Sequence, residues 1–156
     1  NHKIISVCNN GKDLMIGNGV KKDKIEVIYN GIKPHTRTGA KEGLRRELGI
    51  DEDTFVYGNV GKLSDQKNQS FLINVFSEIH RIKPKSELWI IGEGSERANL
   101  EKQASELKLD KAVRFWGQRS DVNELLQAMD CFVFTSKSEA WAQLMQSTTA
   151  GATSIW

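Results

Sequence analysis

The sequence lacks the features that mark several large classes of protein. It has two cysteines in 156 residues, no tract of low complexity and no internal repeat. Its formal net charge is only +2, far from the strongly basic balance of a surface that coats nucleic acid. No apolar run approaches the roughly 18 residues that a membrane-spanning helix needs. A disulfide-stapled, nucleic-acid-coating or membrane-spanning protein is therefore not expected.

What is present is typical of a globular domain, with 38% apolar and 27% charged residues. The two cysteines, Cys8 and Cys131, each lie in an apolar run, which favours small buried side chains in a reducing compartment. Residues 1–3 lack the apolar core of a signal peptide. We therefore expect a cytoplasmic protein, with any membrane association peripheral and at the inner membrane face.

From residue 55 onward, short β-branched or aromatic runs alternate with longer segments of helical period. Strands are predicted at residues 55–60, 87–91, 112–116 and 131–135, and a helix follows each of them. This alternation is typical of βα units that feed a parallel sheet. The right-handed crossover rule then predicts an α/β fold, a Rossmann-like doubly wound parallel sheet with helices on both faces.

Local signals predict the faces and ends of these helices. The first is expected to bury one stripe, formed by Phe71, Leu72, Val75, Phe76 and Ile79. Ser95 is the expected N-cap of the second, whose inner stripe is Leu100, Ala104 and Leu107. Asp121 is the expected N-cap of the third, with Glu124 completing a capping-box variant, and the inward residues are Val122, Leu125, Leu126 and Met129. A fourth helix is predicted at about residues 140–150.

The first 50 residues differ from the rest. Residues 4–8 and 25–29 are strand-like, whereas residues 30–39 hold turn formers and little that could pack, which indicates a linker. A short helix at residues 41–48 then leads through Gly49 into the main domain.

The loop after the strand at 55–60 is a candidate phosphate site. It begins with Gly61 and carries two cations five positions apart, Lys62 and Lys67. Ligands of open parallel sheets bind beyond the carboxyl ends of the strands, where a helix N-terminus also favours an anion. Spacing alone favours ordinary solvated lysines, because such loops are common in this architecture. Gly92 and Gly94 lack the third glycine of a dinucleotide fingerprint, so a tight turn before a helix explains them better.

Five segments in order resemble the landmarks of retaining GT-B glycosyltransferases of the large family 4. They are residues 27–32, 58–63 with 67–68, 88–94, 113–117 and 121–126. The segment 123–130 is similar to bacterial members that build capsular polysaccharides and exopolysaccharides. In that family one Rossmann-like domain binds the acceptor and the other binds the nucleotide-sugar donor. The resemblance implies that residues 1–33 are the end of an acceptor domain and the interdomain linker, and that 34–156 are a donor-binding domain, incomplete at its C-terminus.

The resemblance also assigns roles to particular residues. It implies that Gly61, Lys62 and Lys67 hold the diphosphate, and that the two lysines stabilise the charge that develops on it as the sugar leaves. Gly117, Gln118 and Arg119 match the loop that contacts the nucleobase. Glu139 matches the first glutamate of the E-x7-E motif, at the sugar and phosphate end. Sugar transfer with retained configuration, through an oxocarbenium-like state and without a metal or other cofactor, would follow.

The last two dozen residues depart from the family pattern. Ser147 stands where the second glutamate of E-x7-E is expected, and its hydroxyl is too short to bind both ribose hydroxyls. Thr135 stands where proline is common. Two hypotheses remain open. The first is a donor-binding domain that takes a nucleotide-sugar and is inactive without the domain that binds a saccharide or lipid-linked acceptor. The second is a non-catalytic scaffold that has lost the ligand and self-associates through an exposed sheet edge.

Overall fold

A computed structural model of the chain describes residues 2–31, residues 41–137 and the backbone of residues 153–155, which fall in two compact units. In the first unit, β1 (Ile4–Ser6) and β2 (Ile25–Val27) pair in parallel, and α1 (Asn9–Gly17) connects them through a single 3-10 turn. The strand expected at residues 4–8 is shorter than predicted, because Cys8 instead caps α1 by accepting a hydrogen bond from Gly11 N. The second expected strand also ends early, at Val27.

The second unit contains a parallel sheet of five strands. Its strands are β3 (Phe55–Val60), β4 (Ser86–Ile91), β5 (Val113–Gly117), β6 (Cys131–Val133) and β7 (Thr153–Ile155). Its helices within the described residues are α2 (Lys41–Glu47), α3 (Gln69–Ile82), α4 (Arg97–Glu106) and α5 (Val122–Ala128). The strand order is β5-β4-β3-β6-β7, with every pair parallel. The predicted α/β class and parallel sheet are confirmed.

Helices cover both faces of this sheet. On one face α3 and α4 pack against a core that includes Leu88 and Ile90 of β4. The opposite face carries Gly58 of β3, where an added Cβ would lie 2.0 Å from the sulfur of Met129, just beyond α5. Side chains alternate between the two faces of a strand, so the neighbouring Trp89, which is fully buried, lies on this second face. Trp89 therefore serves in core packing on this face.

The buried stripe of α3 differs from the expected one. Leu72 and Phe76 are buried as predicted, but Phe71 is 54% exposed and Val75 is 38% exposed, and Ile73 takes their place in the core. Both stripes have helical spacing, since apolar residues surround most of this helix. Contact with the sheet selects the side that is buried.

One of the two expected helix caps is wrong, and the other has the predicted position but makes no side-chain cap bond. α4 begins at Arg97, with Glu96 rather than Ser95 at the cap position. Asp121 occupies the cap position of α5 but makes no side-chain cap hydrogen bond, because its carboxylate pairs with Arg119. Both carboxylate oxygens of Asp121 accept hydrogen bonds from Arg119, one from Nε and one from Nη2, and the helix N-terminus donates none to it. On the inner stripe of α4, Leu100 and Ala104 are buried as expected, whereas Leu107 follows the helix and is 39% exposed.

A partly buried ion cluster fastens α2 to the sheet. The guanidinium of Arg45, 8% exposed, lies 2.9 Å from Asp130, and Lys41 Nζ lies 2.6 Å from the other carboxylate oxygen. Val56 N also donates to Asp130, at 2.8 Å. Burial by itself would raise the pKa of Asp130, but the hydrogen bonds from Lys41, Val56 N–H and Arg45 outweigh burial and lower that pKa below its usual value. The cluster therefore stabilises the charged carboxylate.

No helix in the described ranges combines the length and the apolar character that crossing a bilayer requires. Both cysteines are buried as thiols, as expected.

Candidate functional site

The candidate site lies where the strand order of the five-stranded sheet reverses. From β3 the chain proceeds outward to β4 and β5, and then returns to place β6 on the other side of β3. The loops that follow β3 and β6 therefore leave the sheet from two neighbouring strands. In open parallel sheets a crevice forms at such a switch point, beyond the carboxyl ends of the strands, and ligands bind there. The predicted phosphate loop, residues 61–68, is the loop that follows β3.

The structure brings two of the predicted phosphate residues together. Gly61 follows β3 directly, and the aliphatic stem of Lys67 lies over it, since a Cβ added to Gly61 would meet Lys67 Cε at 3.7 Å and Cδ at 3.8 Å. Lys62 is exposed, whereas the next residue, Leu63, is fully buried in the core. Leu63 thus anchors the loop, and Gly61, Lys62 and Lys67 are held beyond the carboxyl end of β3.

The segment that carries Lys67 is a distinctive turn. Asp65–Lys67 form a 3-10 turn, and Asn68 adopts the left-handed conformation, with φ 56° and ψ 38°, before α3 begins at Gln69. Asn68 N donates to the carbonyls of Ser64 and Asp65, at 3.3 Å and 3.2 Å. The α-helix therefore begins two residues beyond Lys67.

The loop after β6 is fastened to this turn. Thr135 Oγ1 lies 3.1 Å from Lys67 O and 3.1 Å from Asn68 O. Lys137 N donates to Gln66 O at 2.9 Å. The strand expected at residues 131–135 ends at Val133, because the following residues bind the turn instead of extending the sheet. Sequence reasoning assigned no role to Thr135, since a contact between loops 67 residues apart leaves no local signal.

A buried polar pair supports the same loop from beneath. Asn59 Nδ2, at the end of β3, donates to Val133 O at 2.9 Å and so links β3 to β6 at the switch point. Gln69 is 1% exposed and donates through Nε2 to Lys62 O at 3.1 Å. Within the described part of the chain Gln69 Oε1 has no hydrogen-bond partner. Buried polar side chains are hard to predict from spacing, and neither residue was expected here.

Gly92 and Gly94 pack against the phosphate loop, backbone to backbone. A Cβ on Gly92, which has φ +134°, would lie 2.0 Å from Gly61 O, and one on Gly94 would lie 2.1 Å from Leu63 O. Leu63 N donates to Glu93 O at 3.0 Å, which joins the loops after β3 and β4. The tight turn predicted here is present, but the glycines are also required by this close approach.

The predicted nucleobase loop lies beyond β5. Gly117 has φ +67° and accepts a hydrogen bond from Gly92 N at 2.8 Å, which connects this loop to the one after β4. Gln118 is exposed. Arg119 stacks over Trp116, 5.5 Å from the ring centroid, and its Nε donates to Asp121 at 2.7 Å. Hydrogen bonding between Arg119 and Asp121 raises the pKa of Arg119 and lowers that of Asp121.

Two of the predicted site residues, Glu139 and Ser147, lie outside the described residues, as does the helix predicted at about 140–150. Across residues 2–31 and 41–137, no group of three or more His, Cys, Asp or Glu side chains could hold a metal ion. What the described site offers is a glycine with cationic side chains beyond the carboxyl end of β3, an arrangement that favours an anion.

The chain belongs to the glycosyl transferases group 1 family, whose model matches residues 40–150. Among curated relatives, it is 34% identical over 126 residues to an uncharacterized glycosyltransferase of Methanocaldococcus jannaschii. That match covers 80% of this chain and 28% of the relative. It is 33% identical over 131 residues to the lipopolysaccharide core biosynthesis glycosyltransferase LpsE of Rhizobium meliloti, covering 78% of this chain and 36% of that protein.

Solved structures show the same fold. Anabaena HepE in complex with UDP superposes with a TM-score of 0.85 at 25% identity, covering 97% of this chain and 43% of HepE. WaaG, a glycosyltransferase involved in lipopolysaccharide biosynthesis, superposes with a TM-score of 0.85 at 22% identity. The predicted membership of the GT-B glycosyltransferases is confirmed, and the chain spans less than half the length of these relatives.

Proposed function

We propose that this chain contains the donor-binding part of a glycosyltransferase that takes its sugar from a nucleotide-sugar. The observation that carries the proposal is the Lys67 stem lying over Gly61 at the switch point of the sheet. Because HepE was solved in complex with UDP, the fold is known to accommodate a nucleoside diphosphate in a relative.

In this proposal the diphosphate lies against Gly61, between Lys62 and Lys67. The nucleobase contacts the loop of Gly117, Gln118 and Arg119, and Glu139 and Ser147 lie at the sugar and ribose end. A diphosphate carries more negative charge once the sugar bond breaks, so cations fixed at this place stabilise the leaving group more than the intact donor.

The remaining chemistry is carried over from the family resemblance. Transfer proceeds through an oxocarbenium-like state with retained configuration, to a saccharide or a lipid-linked acceptor in polysaccharide biosynthesis. The two lysines supply the positive charge that a metal supplies in other enzymes, so no metal is required. Residues 1–33 belong to the acceptor side and 34–156 to the donor side, and donor binding is the activity expected of these residues.

A nucleotide titration tests the proposal. Amide spectra of the full chain are recorded with increasing UDP and, separately, GDP. We expect shifts to appear first at residues 61–68, because the loop contacts the diphosphate directly. Identical spectra at millimolar concentrations of both nucleotides would refute the proposal.

A pair of lysine variants locates the effect. Lys67→Ala is expected to weaken binding about tenfold or more, since a charge-assisted hydrogen bond contributes roughly 1.5–3 kcal/mol. Lys85→Ala is the matched control, because Lys85 is 68% exposed, pairs with Asp53 and precedes β4 at the opposite edge of the sheet. Equal loss in both variants would indicate non-specific attraction to positive charge.

The competing function, a scaffold without ligand, predicts a different result. The reason to consider it is Ser147, whose hydroxyl cannot replace a carboxylate at the ribose hydroxyls. It requires unchanged spectra together with light scattering that rises with protein concentration. A monomer that binds UDP or GDP contradicts it.

A further inference from the structure

We propose that Thr135 is a positioning residue of the diphosphate site, and that its hydroxyl fixes the turn that carries Lys67. The inference rests on the function proposed above. It adds a residue that affects the affinity for the diphosphate and that lies in the loop after β6, whereas Lys67 lies in the loop after β3. Thr135 Oγ1 is 3.1 Å from Lys67 O and 3.1 Å from Asn68 O. A hydroxyl has a single proton, so the two consecutive carbonyls share one donor.

The turn needs such a partner because its geometry is not that of a regular helix. Asn68, with φ 56°, is one of two non-glycine residues with positive φ among the described residues. Asparagine adopts this conformation more readily than most L-residues, but still at a cost relative to the helical region, and surrounding contacts help to hold it. Peptide units are planar, so fixing the oxygens of Lys67 and Asn68 also fixes the direction of the N–H groups that follow them.

The hydroxyl also sets where Lys67 lies relative to Gly61. Gly61 extends β3, and its N–H donates to Ile91 O of β4 at 2.9 Å. Thr135 follows β6, on the other side of β3. The Lys67 backbone is therefore held from β6, while its stem rests on the end of β3. Loss of the hydroxyl frees the turn to move with respect to Gly61, which would loosen a ligand that contacts both.

A second contact between the same loops serves as a control. Lys137 Nζ pairs with Asp65 at 2.5 Å, with side chains 52% and 85% exposed. Exposed ion pairs contribute little, because water and salt screen them. Lys137→Gln removes this pair and keeps both the Thr135 hydroxyl and the Lys137 backbone bond to Gln66.

The experiment compares the affinities of the full chain for UDP and UMP, and for GDP and GMP, by calorimetry. The variants are Thr135→Val, which keeps the shape and removes the hydroxyl, Thr135→Ser, which keeps the hydroxyl, and Lys137→Gln. We expect Thr135→Val to weaken diphosphate binding about fivefold, the effect of one lost hydrogen bond. Monophosphate binding should change less than twofold, and Thr135→Ser and Lys137→Gln should bind as the wild type does.

Each outcome decides the matter. If the wild type binds neither UDP nor GDP, the proposed function fails and this inference fails with it. If the wild type binds and Thr135→Val binds equally well, the inference alone is overturned. Equal losses for diphosphate and monophosphate also overturn it, because they indicate a general structural role. Should Thr135→Val not fold, Thr135→Ala against Thr135→Ser provides the same contrast.

Discussion

Gly61 and Gly92, whose backbones lie against each other at the site, should respond differently to substitution by alanine. A methyl group on Gly92 would lie 2.0 Å from Gly61 O, and the residue's φ of +134° is strained for any side chain. A methyl group on Gly61 would meet the flexible stem of Lys67 at 3.7 Å or more, which is an ordinary contact. Gly92→Ala should therefore damage the fold, whereas Gly61→Ala should not.

The size of the difference follows from known costs. Strained backbone costs about 1–3 kcal/mol, and overpacking against a fixed neighbour costs about 1–3 kcal/mol more. Gly92→Ala should thus lose roughly 2–6 kcal/mol of the free energy of unfolding, a large share of the typical 5–15 kcal/mol. In a chain of this size that loss lowers Tm by roughly 5–20 °C. Gly61→Ala should shift Tm by no more than about 2 °C, because its methyl group makes only an ordinary contact in the folded state. Alanine also lowers the entropy of the unfolded chain slightly, which favours folding.

Thermal unfolding followed by circular dichroism measures both variants against the wild type. The reasoning is refuted if Gly92→Ala melts at the wild-type temperature. It is equally refuted if Gly61→Ala loses as much stability as Gly92→Ala, since Gly61 would then be required by the fold itself.

Two further predictions concern the framework of the sheet. Asp130→Asn should lose about 3 kcal/mol in urea unfolding at pH 7, because buried Arg45 and neighbouring Lys41 keep their charges without a full partner. The pKa of Asp130 is lowered in the folded state, so this stabilisation is fully present above the unfolded pKa of about 3.9. It is lost as the pH falls through the folded pKa. If Asp130→Asn lost stability with acid in the same way as the wild type, this reasoning would be contradicted. Phe76→Ala should cost about 3–5 kcal/mol, whereas Phe71→Ser should stay within about 1 kcal/mol, and similar losses would mean that the buried stripe of α3 has been misplaced.

Sequence reasoning identified the elements whose signal is local. The run of apolar residues at β3 and the helical period after it gave correct positions, because a buried parallel strand is dense in β-branched and aromatic residues. It failed where two local solutions compete. In α3, both Phe71 and Ile73 lie at helical spacing from other apolar residues. Which of the two is buried depends on which side of the helix contacts the sheet. At α5, the cap position of Asp121 was predicted correctly, but its carboxylate binds Arg119 instead of the helix N-terminus.

Only the part of the candidate site that we propose to face the ligand was predicted from the sequence. Gly61 and Lys67 are close in sequence, so their conjunction could be read from the loop itself. Gln69, Thr135 and the close approach of Gly92 to Gly61 depend on how β4 and β6 flank β3, and such contacts leave no periodic pattern. The residues that support the site were therefore found only once the strand order was known.

The central claim is that a diphosphate binds against Gly61, between Lys62 and Lys67, and the affinity of Gly61→Ala for nucleotide tests it most directly. The nucleotide is UDP or GDP, whichever the wild type binds more tightly, and calorimetry is paired with thermal unfolding of the same sample. We predict wild-type stability together with at least tenfold weaker binding, because the added methyl group occupies the place where the diphosphate approaches the backbone. A folded Gly61→Ala protein that binds the nucleotide as tightly as the wild type would contradict the claim.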